Sequence, residues 1–316
     1  MKGIFLDTDS ILPDDLEMGP LAATLDDWQF AHSTQLPAQA TIAEAEILVT
    51  NKIVLDDKLI ANASGLKLIC VAATGTNNID LESARNHGVI VCNARGYATS
   101  SVVEHIFATL LTLNRQLDSY RSEAIQKQWP HSPYFCVFDR TIHDLSNKTM
   151  GIIGYGELGR ATAEMARAFG MRVLIAEREG SPLRPGRVSL NKLLACADVT
   201  SLHCPLNTET ENLIDSAAID RMKKGSILIN TARGGLVNEA ALMAALSSNH
   251  LSAASLDVLS VEPPPADHCL LKTPLPNLVL TPHIAWASHS ARQRLVMEIA
   301  KNITAYLNGA TRNLVN

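Results

Sequence analysis

The stretch from residue 149 to residue 177 constrains the fold of this 316-residue chain more than any other part. An apolar run, Thr149–Ile153, leads straight into Gly154-Tyr155-Gly156-Glu157-Leu158-Gly159. A helical pattern follows, with Leu158, Thr162, Met165, Ala166 and Phe169 spaced for one helix face and Gly170 as the stop. A second apolar run, Arg172–Ala176, then ends at Glu177, 18 residues beyond Gly159. Strand, Gly-rich turn, helix and strand make a βαβ unit. Its first glycine permits the tight turn, its second lets backbone approach a pyrophosphate, and its third lets helix and strand pack closely. A pyrophosphate would sit on the helix N-terminus, and the acid ending the second strand stands where ribose hydroxyls are held. A Gly-rich turn beside a surface Glu explains the glycines alone, but not the helix, second strand and acid in this order. The turn lacks the Gly-Lys-Ser/Thr ending of a P-loop.

The same alternation runs through the rest of the chain. Short apolar runs occur at Gly3–Leu6, Ile47–Thr50, Leu66–Val71 and Val89–Cys92 before this unit, and at Val199–His203, Ser226–Asn230, Ala254–Val258 and Leu278–Leu280 after it. Continuous apolar strands separated by helices imply parallel sheets covered on both faces. The expected fold class is therefore α/β, with two doubly wound, Rossmann-like parallel-sheet domains, which suits a length of about two domains. One unit lies before residue 98 and a larger one runs from 99 to 283, followed by a last helical stretch, Ser288 to Leu307, whose packing its pattern leaves open. Ser101-Val102-Val103-Glu104 has capping-box spacing and opens a helix reaching about Asn114. Trp129 to Asp144, rich in aromatic residues, His and Pro, reads as an irregular connection.

Composition narrows the partners. With 27 Lys and Arg against 32 Asp and Glu, a net charge of −5 and no basic run, the chain offers no field for nucleic acid. Six cysteines without metal-site spacing read as reduced thiols, with no metal. The N-terminus meets Asp7 after a few apolar residues, unlike a signal peptide, and the apolar stretch 101–113 is too short to span a bilayer. A cytoplasmic protein without membrane contact is expected.

Ligands of open α/β sheets bind beyond the carboxyl ends of the strands, so residues there carry the candidate chemistry. Arg233, in Asn230-Thr231-Ala232-Arg233-Gly234-Gly235, follows one strand. Its guanidinium can hold an α-keto carboxylate and polarise the ketone, although a structural ion pair is the alternative. Asp257 to Pro263 ends another strand and carries Glu262; Thr281-Pro282-His283 ends the last. A His can deliver a proton near neutrality, and a Glu on its other nitrogen would hold it charged. On spacing alone His283 could equally be structural, and nothing in the sequence brings Glu262 to it. His203-Cys204-Pro205 either lines the cofactor cleft or merely terminates a strand.

Taken together, these motifs resemble the D-isomer-specific 2-hydroxyacid dehydrogenases, most of all their glycerate dehydrogenase and hydroxypyruvate reductase branch. The likeness covers almost the whole chain and is clearest from Leu66 to Ala291. It rests on Val71 to Asp80, Val91-Cys92-Asn93, Gly154 to Gly159, Leu202 to Leu206, Met222 to Gly225, Asn230 to Gly235, Asp257 to Pro263 and Thr281 to Ser288, in that order. The resemblance implies a discontinuous substrate domain of residues 1–98 plus 284–316, an NAD-binding Rossmann domain of residues 99–283 and a cleft between them. The family's catalytic Arg, Glu and His fall on Arg233, Glu262 and His283. Its NAD-binding positions fall on Gly154, Tyr155, Gly156, Glu157, Leu158, Gly159, Glu177, His203, Cys204, Pro205, Thr231 and Asp257. Its substrate grip falls on Ala73, Thr74 and Gly75, with Arg233 and His283. Homodimers joined through the Rossmann domains are implied as well.

Departures from the family pattern refine the expectation. Glu177 stands where Asp is common, and Arg178 follows it. A carboxylate there favours NAD(H) over NADP(H) by repelling a 2′-phosphate, unless Arg178 turns inward. Formate dehydrogenases carry Gln at the position of Glu262. Phosphoglycerate dehydrogenases place an Arg where this chain has Ala72 and Ala73. Hydroxypyruvate, then glyoxylate, are the expected substrates. A phosphoglycerate or D-lactate type of dehydrogenase, or an NAD-sensing corepressor-like protein, is the alternative.

Overall fold

A computed structural model of the chain describes residues 1–273 and 275–316. These fall into two compact units, one of residues 1–98 and 286–316 and the other of residues 99–285.

In the first unit, β1 (Lys2–Phe5), β2 (Asp27–Phe30), β3 (Ile47–Thr50), β4 (Leu68–Val71) and β5 (Ile90–Cys92) form a parallel sheet in the order β2-β1-β3-β4-β5. Every residue of β3 and β4 is buried, as the apolar runs predict for central strands. The edge strand β2 was not expected from the sequence. It is half exposed and pairs with β1 alone, so it lacks the continuous apolar signature, and Trp28 stacks on Phe30 along it.

The last helix, His289–Leu307, belongs to this unit and is capped by the Ser288 hydroxyl, which accepts from the amide of Ala291. It buries Leu295, Val296, Ile299 and Ile303. Its buried Arg292 forks onto Asp15 at 2.6 and 2.7 Å. Beyond it, the amide of Val315 donates to the carbonyl of Val91 at 3.0 Å. The first unit is thus completed by residues some 200 positions after its last strand.

The second unit holds β6 (Thr149–Ile153), β7 (Arg172–Ile175), β8 (Val199–Leu202), β9 (Ser226–Asn230), β10 (Leu251–Leu256) and β11 (Leu278–Leu280). They form a parallel sheet in the order β11-β10-β9-β8-β6-β7. The chain leaves β6 for one neighbour, β7, and returns on the other side as β8, so the topological switch lies at β6/β8.

Two local readings need correction here. The helix after the glycine turn spans Glu157–Ala168, but its buried face is Gly159, Thr162, Ala163 and Ala166, while Met165 and Phe169 are exposed. Small residues face the sheet because helix and strand approach closely, and Phe169 instead stacks on Phe107 of the helix Thr99–Asn114, ring centroids 5.1 Å apart. That helix begins before Ser101, so Ser101 is no cap. It is buried, and its hydroxyl donates to the carbonyl of Ala285 at 2.7 Å. From Trp129 a short 3-10 turn gives way to irregular chain reaching Asp144, as expected.

Candidate active site

The glycine turn is built as its sequence requires. Gly154 has φ +93°, and a Cβ there would lie 2.5 Å from the backbone of His203 on the neighbouring strand end. At Gly159 a Cβ would lie 2.1 Å from the carbonyl of Gly154, so only glycine lets the helix close on the turn. Gly156, by contrast, has open space where a side chain would be. The turn therefore presents bare backbone and a helix N-terminus to a cavity of about 570 Å³ at the β6/β8 switch. Gly154, Tyr155, Gly156, Glu177, His203, Cys204 and Pro205 all line it. A dinucleotide pyrophosphate fits this open, backbone-lined cradle.

Burial tunes the strand end opposite the turn. The His203 ring accepts or donates a 2.9 Å hydrogen bond between Nε2 and the Ser201 hydroxyl, while its buried Nδ1 has no partner among the described residues. Burial without a counter-charge pulls this imidazole down to about 4, so it is neutral at physiological pH. The same desolvation raises the Cys204 thiol to about 11, which makes it a packing group rather than a nucleophile.

Farther along the sheet, three strand ends converge on a second cavity, of about 180 Å³, lined by Arg233, Glu262, His283 and Leu206. After β9, the buried Asn230 side chain ties the turn by donating to the carbonyl of Arg233 and accepting from the amide of Ala232. Gly234 then touches the neighbouring loop so closely that a Cβ would lie 1.9 Å from the carbonyl carbon of Leu259. That contact sets Arg233 beside the loop carrying Glu262. Glu262 accepts the amide of Leu259 on Oε1, at 2.9 Å, and pairs through Oε2 with Nδ1 of His283, at 2.6 Å. The contact that sequence could not supply is therefore present.

Asp257 holds the opposite side of this constellation. It is buried, and its carboxylate accepts from the Thr281 hydroxyl at 2.6 Å and from the amides of Ile284 and Ala285 at 2.9 and 2.8 Å. Its own carbonyl accepts the amide of His283. Behind Thr281, His105 Nε2 lies 3.1 Å from the same hydroxyl. The residue expected to orient the nicotinamide thus braces the loop that carries His283.

The remaining expected positions divide. Glu157 opens the helix, and its carboxylate accepts from the Thr99 hydroxyl rather than facing the cavity. Leu158 and Thr231 do not line either cavity, although the buried Thr231 hydroxyl has no partner among the described residues. In the first unit, Ala73, Thr74 and Gly75 follow β4. Thr74 donates from its hydroxyl to the carbonyl of Ala94 at 2.9 Å, and its own carbonyl accepts from the Asn93 side chain at 2.7 Å, which fixes the loop's shape. Sequence reasoning missed Arg184 and Arg187, which line the first cavity with Arg178. The basic, Pro- and Gly-punctuated stretch Ser181 to Arg187 was the available signal.

Comparison with known proteins bears on the same residues. Residues 107–285 match the family described as D-isomer specific 2-hydroxyacid dehydrogenase, NAD binding domain. The chain is 38% identical over 322 residues to a glycerate dehydrogenase of Methylorubrum extorquens, covering 99% of this chain and 98% of that one. It is 34% identical to a hydroxypyruvate reductase of Blautia hydrogenotrophica across 100% of both chains. Among solved structures, an acyclic imino acid reductase in complex with NADPH and D-Arg superposes with a TM-score of 0.86 at 27% identity over 100% of both chains.

Proposed function

The chain belongs to the D-isomer specific 2-hydroxyacid dehydrogenase family, with NAD as its cofactor, and within that family we propose that it reduces hydroxypyruvate, and more slowly glyoxylate, to the D-2-hydroxy acid. The observation that carries the catalytic assignment is the 2.6 Å pairing of Glu262 with His283 in the cavity that Arg233 also lines.

The bound reduced cofactor supplies a hydride to the keto carbon of the substrate. Arg233 holds the substrate carboxylate and draws charge toward the carbonyl oxygen as it becomes an alkoxide. An imidazolium that donates from Nδ1 to a carboxylate gives up its other proton from Nε2, so His283 protonates that oxygen and Glu262 stabilises the charged ring beforehand. In the reverse direction the neutral ring takes the hydroxyl proton. Ala73, Thr74 and Gly75 contribute backbone to the carboxylate end of the substrate. Gly154, Tyr155 and Gly156, with His203 to Pro205, line the cofactor cradle. Asp257 would act through the loop it braces, by holding His283 in place.

One feature supports a small, unphosphorylated substrate. Ala72 and Ala73 bring no charge to the β4 loop, and a phosphate there would forgo charge-assisted bonds worth about 1.5–3 kcal/mol each. The kcat/KM values for hydroxypyruvate, glyoxylate, pyruvate, a branched keto acid and 3-phosphohydroxypyruvate should fall in that order for the first two, with the last two lowest. A lead for the phosphorylated or branched compound would overturn the substrate while sparing the chemistry.

A cytoplasmic homodimer completes the proposal. Among the described residues no helix is long and apolar enough to cross a membrane. The connection from Trp129 to Phe138 presents Phe135 and Phe138 at 92% and 84% exposure, with Tyr134 and Trp129 beside them, an apolar surface suited to a second copy. Light scattering should give twice the chain mass, and Phe135→Ser with Phe138→Ser should give monomers; a monomeric native chain would refute the dimer.

A further inference from the structure

One carboxylate outside both cavities holds the segment that carries Glu262. Glu239 is the first residue of the helix Glu239–Ser247 and lines neither the cofactor cavity nor the catalytic one. Its Oε1 accepts from the amide of Ser260 at 2.7 Å, and its Oε2 accepts from the Ser260 hydroxyl at 3.0 Å. The same Oε2 lies 3.0 Å from Nε2 of His268. A carboxylate only accepts, so the buried His268 carries a proton on Nε2, while its Nδ1 has no partner among the described residues. Ser260 stands two residues before Glu262 and His268 six residues after it. Both ends of the segment are therefore tied to one side chain.

An acid in the first turn of a helix complements the helix dipole by itself. That role requires no contact with residues 21 and 29 positions away. The helix is also firmer than the loop it holds. Its start is fixed by Asn238, whose side chain accepts from the amide of Ala241 at 3.0 Å and whose own amide donates to the carbonyl of Ile214 at 3.0 Å. Leu242 and Leu246 bury the helix against the core. Ser260, Val261 and Glu262, by contrast, are exposed, so hydrogen bonds rather than packing decide where Glu262 stands. Leu259, whose amide donates to Glu262, immediately precedes Ser260, so a shift of Ser260 moves the partner that holds the Glu262 carboxylate.

We infer that Glu239, braced by His268, is a positioning residue that fixes Glu262 and, through Glu262, the ring of His283. Arg233 and Glu239 flank one short turn, so the stretch 233–239 supplies both the substrate's cation and the post to which the Glu262 loop is tied. Neither Glu239 nor His268 touches the reacting groups, and their effect is confined to geometry that is set before substrate arrives. The inference rests on the reading of Arg233, Glu262 and His283 as the catalytic set.

Steady-state kinetics of the full chain, with NADH and the keto acid it turns over fastest, test this. Glu239→Ala should lower kcat by about tenfold, a part of the ~10²-fold that a misplaced group can cost. The KM for the keto acid, and the NADH dissociation constant from fluorescence titration, should stay close to those of the native chain. Glu239→Gln keeps the size of the side chain and an acceptor for the Ser260 amide, so it should recover part of the rate and guards against a folding defect. In a Glu262→Ala background Glu239→Ala should cost nothing further, because no carboxylate is left to place, whereas damage unrelated to Glu262 would multiply the two losses. A kcat unchanged in Glu239→Ala, or losses that multiply, overturns the proposal while leaving the catalytic set standing. Failure of the native chain to reduce any 2-keto acid refutes the catalytic reading itself.

Discussion

His283 works from a backbone conformation that a non-glycine residue rarely adopts, with φ at +54°. The loop tolerates this because it is tied on both sides: Asp257 takes the amides of Ile284 and Ala285, and its carbonyl takes that of His283. The ring is thereby aimed at Glu262 before substrate arrives, which removes reorganisation from the proton transfer. His283→Ala should lower kcat for keto-acid reduction by about 10²–10⁴-fold, the usual range for a general acid. Glu262→Gln should also lower kcat, by less than His283→Ala, because the carboxylate that pairs with Nδ1 and orients the ring is gone. A kcat unchanged in Glu262→Gln would remove Glu262 from this role. The identities of Arg233, Glu262 and His283 were legible from their places at strand ends and from the family resemblance. Their meeting was not, since it depends on Gly234 pressed against Leu259, a contact between segments about 25 residues apart that no local pattern encodes.

At the scale of elements, the β6/β8 switch places the glycine turn against a strand end that carries a buried imidazole. His203 stays neutral down to about pH 4 in the folded chain, whereas an unfolded His takes a proton near 6.5. Between those values the unfolded state binds more protons, so stability is full above about 6.5 and falls as the pH drops toward 4. The linked loss is about 3 kcal/mol across that window. Chemical denaturation of His203→Gln at pH 7 and pH 4.5 should show a correspondingly smaller acid loss than the native chain; equal losses would dismiss His203 as the titrating group. Elements were legible where burial is two-sided, as in β3, β4 and β9, which read as unbroken apolar runs. They were obscure where one side is open. The edge strand β2 was missed for that reason, and the helix Glu157–Ala168 was read by its larger apolar residues when close packing selects its small ones.

For the whole molecule, chain order and spatial order differ. Residues 99–285 form the second unit without a break, whereas the first unit needs both residues 1–98 and residues 286–316, including the helix whose Arg292 grips Asp15. During synthesis, the strands β1 to β5 therefore leave the ribosome long before the helix that covers part of their sheet exists. The nascent chain then carries a partly uncovered apolar sheet while the later-made unit folds, the reverse of the usual N-terminal-first sequence and a natural point of engagement for a holdase chaperone. Translation stalled with residues 286–316 still in the exit tunnel should leave residues 99–285 resistant to brief proteolysis and residues 1–98 cut. Equal resistance of both would mean that the early strands hold their structure without the terminal helix.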